Sequence, residues 1–319
     1  MNQVSRLFSA LLISLLVMPS HVYAERPITP DPNASAAAAT PAIYTPKTRL
    51  EKISEYTVEV KNYKFVVNDK QEVTVYYTLP EKITVDTKVF VVLHGMKRNG
   101  KTYAETFRYL SEKENIAVIT PEFRKDMFSV SEYQRVNISK NLSNPESGDL
   151  TYHVVDKIFE DVIERFGLQT RKYILYGHSA GAQFTARTAM FSDSNYLDYA
   201  IAAAAGTYTF CNENLPYPHG IKDVSAYKNL VLRNLGSRKL YILIGNADIS
   251  QDDPRLSKSF HEQGKHRYER AINFFNTSKA YSESNGAAFS WRLVVMDGVG
   301  HNSRRTLPYV LDIVTGKYD

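Results

Sequence analysis

Apolar and polar residues alternate from Glu55 to Val67 and from Glu72 to Leu79, which predicts two antiparallel strands at a sheet edge. The pattern then changes. Lys88 to Leu93 (KVFVVL) is a continuous apolar run, as expected of a strand covered on both faces by helices. Ile116 to Thr120, Tyr173 to Tyr176, Tyr199 to Ala205, Leu240 to Ile244 and Ser290 to Met296 read in the same way, with Pro121 expected to stop the first of these. Helical spacing fills the intervals. Tyr103, Phe107 and Leu110 share one face, and Val155, Ile158, Phe159, Val162, Ile163 and Phe166 form a core stripe within Leu150 to Phe166. Further helices are predicted from Gly181 to Phe191 and around Ala271, Ile272, Phe274 and Phe275. Buried strands alternating with helices predict an α/β chain with a mostly parallel, doubly wound sheet and helices on both faces.

The N-terminus breaks this rhythm. Met1 to Ala24 has the form of a secretory signal peptide: Arg6, an apolar stretch from Leu7 to Met18, then Val22-Tyr23-Ala24 as the cleavage motif. The apolar stretch is too short to span a bilayer comfortably, and no cysteine near Ala24 offers a lipid attachment point. The expectation is a periplasmic or secreted protein without a stable membrane anchor. Residues 25–49 carry Pro27, Pro30, Pro32, Pro41 and Pro46 and an Ala-rich patch, and read as a flexible segment. Residues 50–319 are then expected to form a single catalytic domain, which suits 319 residues of which 43% are hydrophobic. The net charge of +5 is interspersed, which argues against a nucleic-acid site. Cys211 is the lone cysteine, so no intramolecular disulfide forms, and it reads as a small buried apolar residue.

The candidate chemistry centres on Arg171 to Gly181, RKYILYGHSAG. An apolar strand meets G-x-S-x-G and a helix follows at once, the pattern of a nucleophile elbow with Ser179 at its apex. In a doubly wound sheet, functional groups collect beyond the C-terminal ends of strands. Asp248 and His301 follow two later strands, in the chain order Ser, Asp, His. A serine hydroxyl needs a base, and the base needs an acid to fix its tautomer. Asp252, Asp253 and Asp297 lie near the same strand ends and compete with Asp248 for the role of acid. An oxyanion hole requires two backbone N–H groups, assigned to Ala180 and Met96. His94 is expected to shape the loop beside that hole. His261 and His266 are five residues apart, one more than the zinc-protease spacing, so no metal is expected. Gly298-Val299-Gly300 lacks the third glycine and the following helix of a dinucleotide site, and no cofactor is expected. Gly206 to Leu235 is the expected position of a short cap. His94, Tyr208, Phe210 and Tyr217 are candidate pocket residues, with packing of that segment on to the domain as the competing role for the aromatics. Phe123 to Ser147 is long and irregular, a form that is often functional, with a plain surface loop as the competing reading.

Taken together, HGMKRNG, PEF, YGHSAGAQF, PYPHG, IGNADIS and MDGVGHNS resemble an α/β-hydrolase. The resemblance runs from about Lys88 to Leu311 and is closest to secreted esterases related to poly(3-hydroxybutyrate) depolymerases and feruloyl esterases. It implies a Ser179–His301–Asp248 triad and hydrolysis of an ester. Extracellular polymer depolymerases of this group carry linker and polymer-binding domains, for which this chain has no room, so the implied substrate is a smaller soluble or oligomeric ester. A serine peptidase on the same fold, or a binding protein derived from it, are the competing functions.

Overall fold

The continuous apolar runs become parallel strands and the alternating ones become the antiparallel edge. The computed structural model describes residues 41–48, 56–251 and 262–318. The signal-like segment, most of the Pro/Ala-rich stretch, Asp252, Asp253 and His261 lie outside the described residues. In chain order the strands are β1 (Ile43–Tyr44), β2 (Lys61–Asn68), β3 (Gln71–Thr78), β4 (Lys88–Leu93), β5 (Ile116–Glu122), β6 (Tyr173–His178), β7 (Leu197–Ala203), β8 (Lys239–Gly245) and β9 (Arg292–Met296). The helices are α1 (Gly100–Phe107), α2 (Tyr109–Lys113), α3 (Val130–Tyr133), α4 (Tyr152–Phe166), α5 (Ala180–Phe191), α6 (Lys228–Ser237), α7 (Arg267–Ser284) and α8 (Leu307–Val314).

All nine strands form one sheet in the order β1-β9-β8-β7-β6-β4-β5-β3-β2. Among them β3 alone runs antiparallel to its neighbours, β2 and β5. Alternation along each buried strand feeds two separate cores. Val89, Val91 and Leu93 of β4 join α4, α5, α6 and α7 on one face, while Phe90 and Val92 join α1, α2 and α8 on the other. This two-sided burial is why the strand sequences carry no polar alternation. The segment Gly206 to Leu235 divides in two: an irregular stretch, then most of α6, the helix of the β7–β8 crossover.

Two boundaries differ from the sequence reading. The folded unit begins before residue 50, at Pro41. Ile43 and Tyr44 pair in parallel with Val295 and Met296, so the sheet takes an extra strand from the stretch read as flexible. The cause is Asp312 on α8, fully buried, whose carboxylate accepts hydrogen bonds from the Tyr44 hydroxyl at 2.8 Å, the Thr48 N–H at 2.9 Å and the Lys47 N–H. Prolines at 41 and 46 cost nothing at an edge strand only two residues long. Pro121, in turn, does not end β5. Its pairing with β4 stops at Ile119, while Pro121 pairs with Val75 of β3, so a residue without an N–H is tolerated there.

Burial of Asp312 works to raise its pKa, but the hydrogen bonds from Thr48, Lys47 and Tyr44 outweigh it and hold the carboxyl below its ordinary value. A depressed carboxyl contributes stability above its unfolded pKa and loses it as pH falls through the folded one. Asp312→Ala should therefore cost about 1–3 kcal/mol at neutral pH by denaturant unfolding, and the gap to the wild type should narrow below about pH 4. An unchanged midpoint at pH 7 would mean that β1 is not anchored in this way.

Candidate active site

The elbow depends on backbone contacts that admit no side chain. A Cβ on Gly177 would lie 2.2 Å from the Gly181 carbonyl oxygen, and one on Gly181 would lie 2.3 Å from that of Leu93. Helix α5 is thereby pressed against the ends of β6 and β4. Between these glycines Ser179 adopts φ 56° and ψ −110°, in the left-handed half of backbone space that side chains rarely enter. Its N–H is secured to the Ala203 carbonyl at 2.9 Å. The hydroxyl is left beyond the strand end, beside the first turn of α5.

The other two groups arrive on a second pair of loops. Gly245 closes β8 against the loop after β9: a Cβ there would lie 1.7 Å from the Val299 carbonyl oxygen. Asn246 N–H to Met296 O at 3.1 Å, Ala247 N–H to Val299 O at 3.2 Å and Gly298 N–H to Asn246 Oδ1 at 2.7 Å join the two loops. Asp248 and His301 are thus held side by side. Asp248 Oδ2 lies 2.9 Å from His301 Nδ1, and His301 Nε2 lies 3.1 Å from Ser179 Oγ. A carboxylate only accepts, so the proton sits on Nδ1 and Nε2 is free to accept from the serine. The Asp248 side chain is 2% exposed and that of His301 14%, so the acid is sheltered while the base remains in reach of a substrate.

Arg267 was not singled out in the sequence. It is as buried as Asp248, and its guanidinium lies 3.4 Å from Oδ1, leaving Oδ2 to His301. A cation as the first residue of α7 stands at the helix end that favours negative charge, and that mismatch is the signal a sequence reading could have used. His178 sends Nδ1 to the Tyr103 hydroxyl at 3.1 Å, while its ring lies 4.9 Å from that of His301.

The turn after β4 faces the serine. Gly95 O accepts from Arg98 N–H at 3.1 Å, which places Met96 and Lys97 at the turn's apex. Ala180, as the first residue of α5, has an N–H that no carbonyl within the helix can accept. Met96 borders the same cleft as Ser179, and Ala180 follows Ser179 in the chain. The Phe123 to Ser147 segment supports the turn from behind. The Tyr133 hydroxyl donates to His94 O at 2.7 Å, and the Arg98 guanidinium lies over the Tyr133 ring at 4.1 Å and bonds the Phe123 carbonyl. Phe123, Phe128, Tyr133, Val136 and Ile138 are buried, so the segment anchors itself in the core through these residues.

A cleft of about 330 Å³ opens over Ser179 and His301, bordered by Met96, Lys97, Asn99, Thr102, Asn302 and Arg304 among others. A larger groove of about 760 Å³, between the β2–β3 hairpin and α4, touches none of these groups. The four candidate pocket residues do not border the cleft. His94 is fully buried beneath the turn. Its Nε2 accepts the Phe123 N–H at 3.0 Å, and burial holds its pKa down to about 3, so the ring stays neutral. Tyr208 stacks on Phe274 with ring centroids 4.4 Å apart, Phe210 packs on the same ring, and Tyr217 donates to the Arg135 carbonyl at 2.6 Å. The aromatics of this segment fasten it to α5 and α7, because large apolar rings are more stable in the core than at a wet rim. Cys211 is buried and its thiol is pushed up to about 12 by that burial, which leaves it unreactive. His266 caps α7 by accepting the Glu269 N–H at 3.2 Å. No helix among the described residues is long and apolar enough to cross a membrane.

No protein-family model and no curated protein matches this chain. Solved structures do. The chain is similar to poly(aspartic acid) hydrolase-1 from Sphingomonas sp. KT-1, at 27% identity and a TM-score of 0.75 over 81% of this chain and 99% of that one. It is also similar to a poly(3-hydroxybutyrate) depolymerase from Bordetella parapertussis, at 24% identity and a TM-score of 0.74 over 82% and 91% of the two chains. A more distant likeness joins it to the acylaminoacyl peptidase of Pyrococcus horikoshii, at 13% identity and a TM-score of 0.52, covering 83% of this chain and 42% of that one.

The geometry separates the competing acids. Asp297 is exposed and accepts from Asn246 Nδ2 at 2.9 Å, so it braces the loop. Asp248→Asn should reduce kcat by about 10⁴-fold, because the amide favours the wrong histidine tautomer. Asp297→Asn should retain more than about a tenth of the activity. The reverse ranking in steady-state assays on a chromogenic ester would reassign the acid.

Proposed function

We propose that this chain, a member of the α/β-hydrolase superfamily, hydrolyses carboxylic esters through an acyl-enzyme on Ser179. The observation that carries the reading is the unbroken sequence of contacts from Ser179 Oγ through His301 to Asp248, with Ser179 and His301 bordering one cleft. Ser179 Oγ attacks the carbonyl carbon as its proton passes to His301 Nε2. The tetrahedral oxyanion is held by the backbone N–H groups of Ala180 and Met96. Collapse expels the alcohol, which takes the proton back from Nε2. Water then attacks the acyl carbon as His301 removes its proton, and the acid departs as that proton passes to Ser179 Oγ. Asp248 balances the imidazolium in both halves, and Arg267 steadies Asp248.

Amide hydrolysis is the second reading. Poly(aspartic acid) is a polyamide and poly(3-hydroxybutyrate) a polyester, and the chain is similar to hydrolases named for each. The catalytic groups serve both bonds, while handling of the leaving group separates them. The form of residues 1–24 supports export, with the mature protein in the periplasm or outside the cell and beginning at Glu25.

A fluorophosphonate probe should label Ser179, and Ser179→Ala should abolish labelling and turnover while shifting Tm by no more than a few degrees. Beside this, p-nitrophenyl esters of graded acyl length should be cleaved and peptide anilides spared. Labelling that persists in the alanine variant removes the nucleophile assignment. Turnover of anilides above esters moves the reading to a peptidase.

A further inference from the structure

We infer that the cleft selects substrates that carry a carboxylate beside the scissile bond, and that Lys97 and Arg304 are the cations that read it. The inference rests on the hydrolase reading above and names its substrate class. Lys97 and Arg304 both border the cleft that contains Ser179 and His301, and both are exposed there. None of the described residues bordering the cleft is acidic. The only carboxylate in the machinery, Asp248, is buried behind His301 and already engaged by Arg267. Neither Lys97 nor Arg304 meets a carboxylate among the described residues. Other exposed cations do find one: Arg165 pairs with Asp161, Lys64 with Glu72 and Lys228 with Glu213.

The backbones beneath the two cations are fixed, so their charges are delivered to definite sides of the cleft. Lys97 occupies the apex of the turn closed by Arg98 N–H on Gly95 O at 3.1 Å, one residue after the Met96 N–H. Arg304 begins a short 3-10 turn whose N–H is held by Asn302 Oδ1 at 3.0 Å, three residues after His301. One cation therefore stands beside the carbonyl-oxygen position. The other stands beside the histidine that returns a proton to the leaving group. Asn99, Thr102, Asn302 and Ser303 add neutral hydrogen-bonding groups, and Met96 and Tyr103 supply apolar surface beside them. Two cations and no carboxylate among its described residues give the cleft a positive field. It favours an anionic substrate.

Two matched pairs of esters test this. In the first, the charge lies in the acyl group: mono-p-nitrophenyl adipate against p-nitrophenyl hexanoate. In the second it lies in the leaving group: 4-acetoxybenzoate against its methyl ester. At low ionic strength the anion of at least one pair should be preferred in kcat/KM by roughly fivefold to twentyfold, as for two exposed ion pairs. The preference should shrink severalfold at about 0.5 M salt, where the screening length falls to a few ångströms. In Lys97→Gln/Arg304→Gln the anion-to-neutral ratio should fall to near one. Equal or better use of the neutral ester in both pairs overturns the inference, as does a ratio unmoved by the double variant. Either result leaves the hydrolase reading intact provided Ser179 still labels. Loss of labelling and of all ester turnover in the wild type would remove both.

Discussion

The close approach of α5 to the ends of β4 and β6 is the constraint on which the site depends. Ser179 cannot hold a positive φ by its own preference, and a residue there costs on the order of 1–3 kcal/mol. The conformation persists because the Gly177 and Gly181 backbones interlock with each other and with the Leu93 carbonyl, leaving the chain no other route between strand and helix. One packing event thus achieves three things. It leaves Ser179 at the strand end, starts α5 immediately after it, and fixes the distance to the turn that follows β4.

That turn is supported as carefully as the serine. His94 lies under it as a neutral ring, with one nitrogen accepting from the Phe123 backbone. Tyr133 bonds the His94 carbonyl, and Arg98 covers the Tyr133 ring. A buried imidazole without a counter-charge is stable only while neutral, and burial ensures that. The long segment from Phe123 thus contributes rigidity to the candidate oxyanion hole without itself touching the cleft.

Much of this was legible in the chain because periodicity reports burial. The runs of β4 and β8 are apolar after their leading lysines, and the two strands end within a residue of where the sequence places them. Ser179, Asp248 and His301 stood out because each follows such a run at the end of the sheet where functional groups gather. What could not be read was long-range. Residues 43–44 carry no strand signal strong enough to overcome their prolines, and they join the sheet through Asp312, 268 residues from Tyr44. Tyr208, Phe210 and Tyr217 looked suited to a pocket because aromatic rings serve binding and packing equally well in a sequence. Only the position of Phe274 and of the Arg135 carbonyl decides between those uses. Arg267 was hidden for the same reason, since its partner is set by tertiary structure.

The loops after β8 and β9 are locked together at Gly245 and Val299, while the serine and the turn after β4 are locked together at Gly181 and Leu93. The candidate machinery is therefore two stiff bodies, with β7 lying between the strands that carry them. Only one contact within the triad crosses from one body to the other, the 3.1 Å approach of His301 Nε2 to Ser179 Oγ. Mechanically that contact is the joint. Any relative shift of the two loop pairs is therefore read first as a change in the serine–histidine distance.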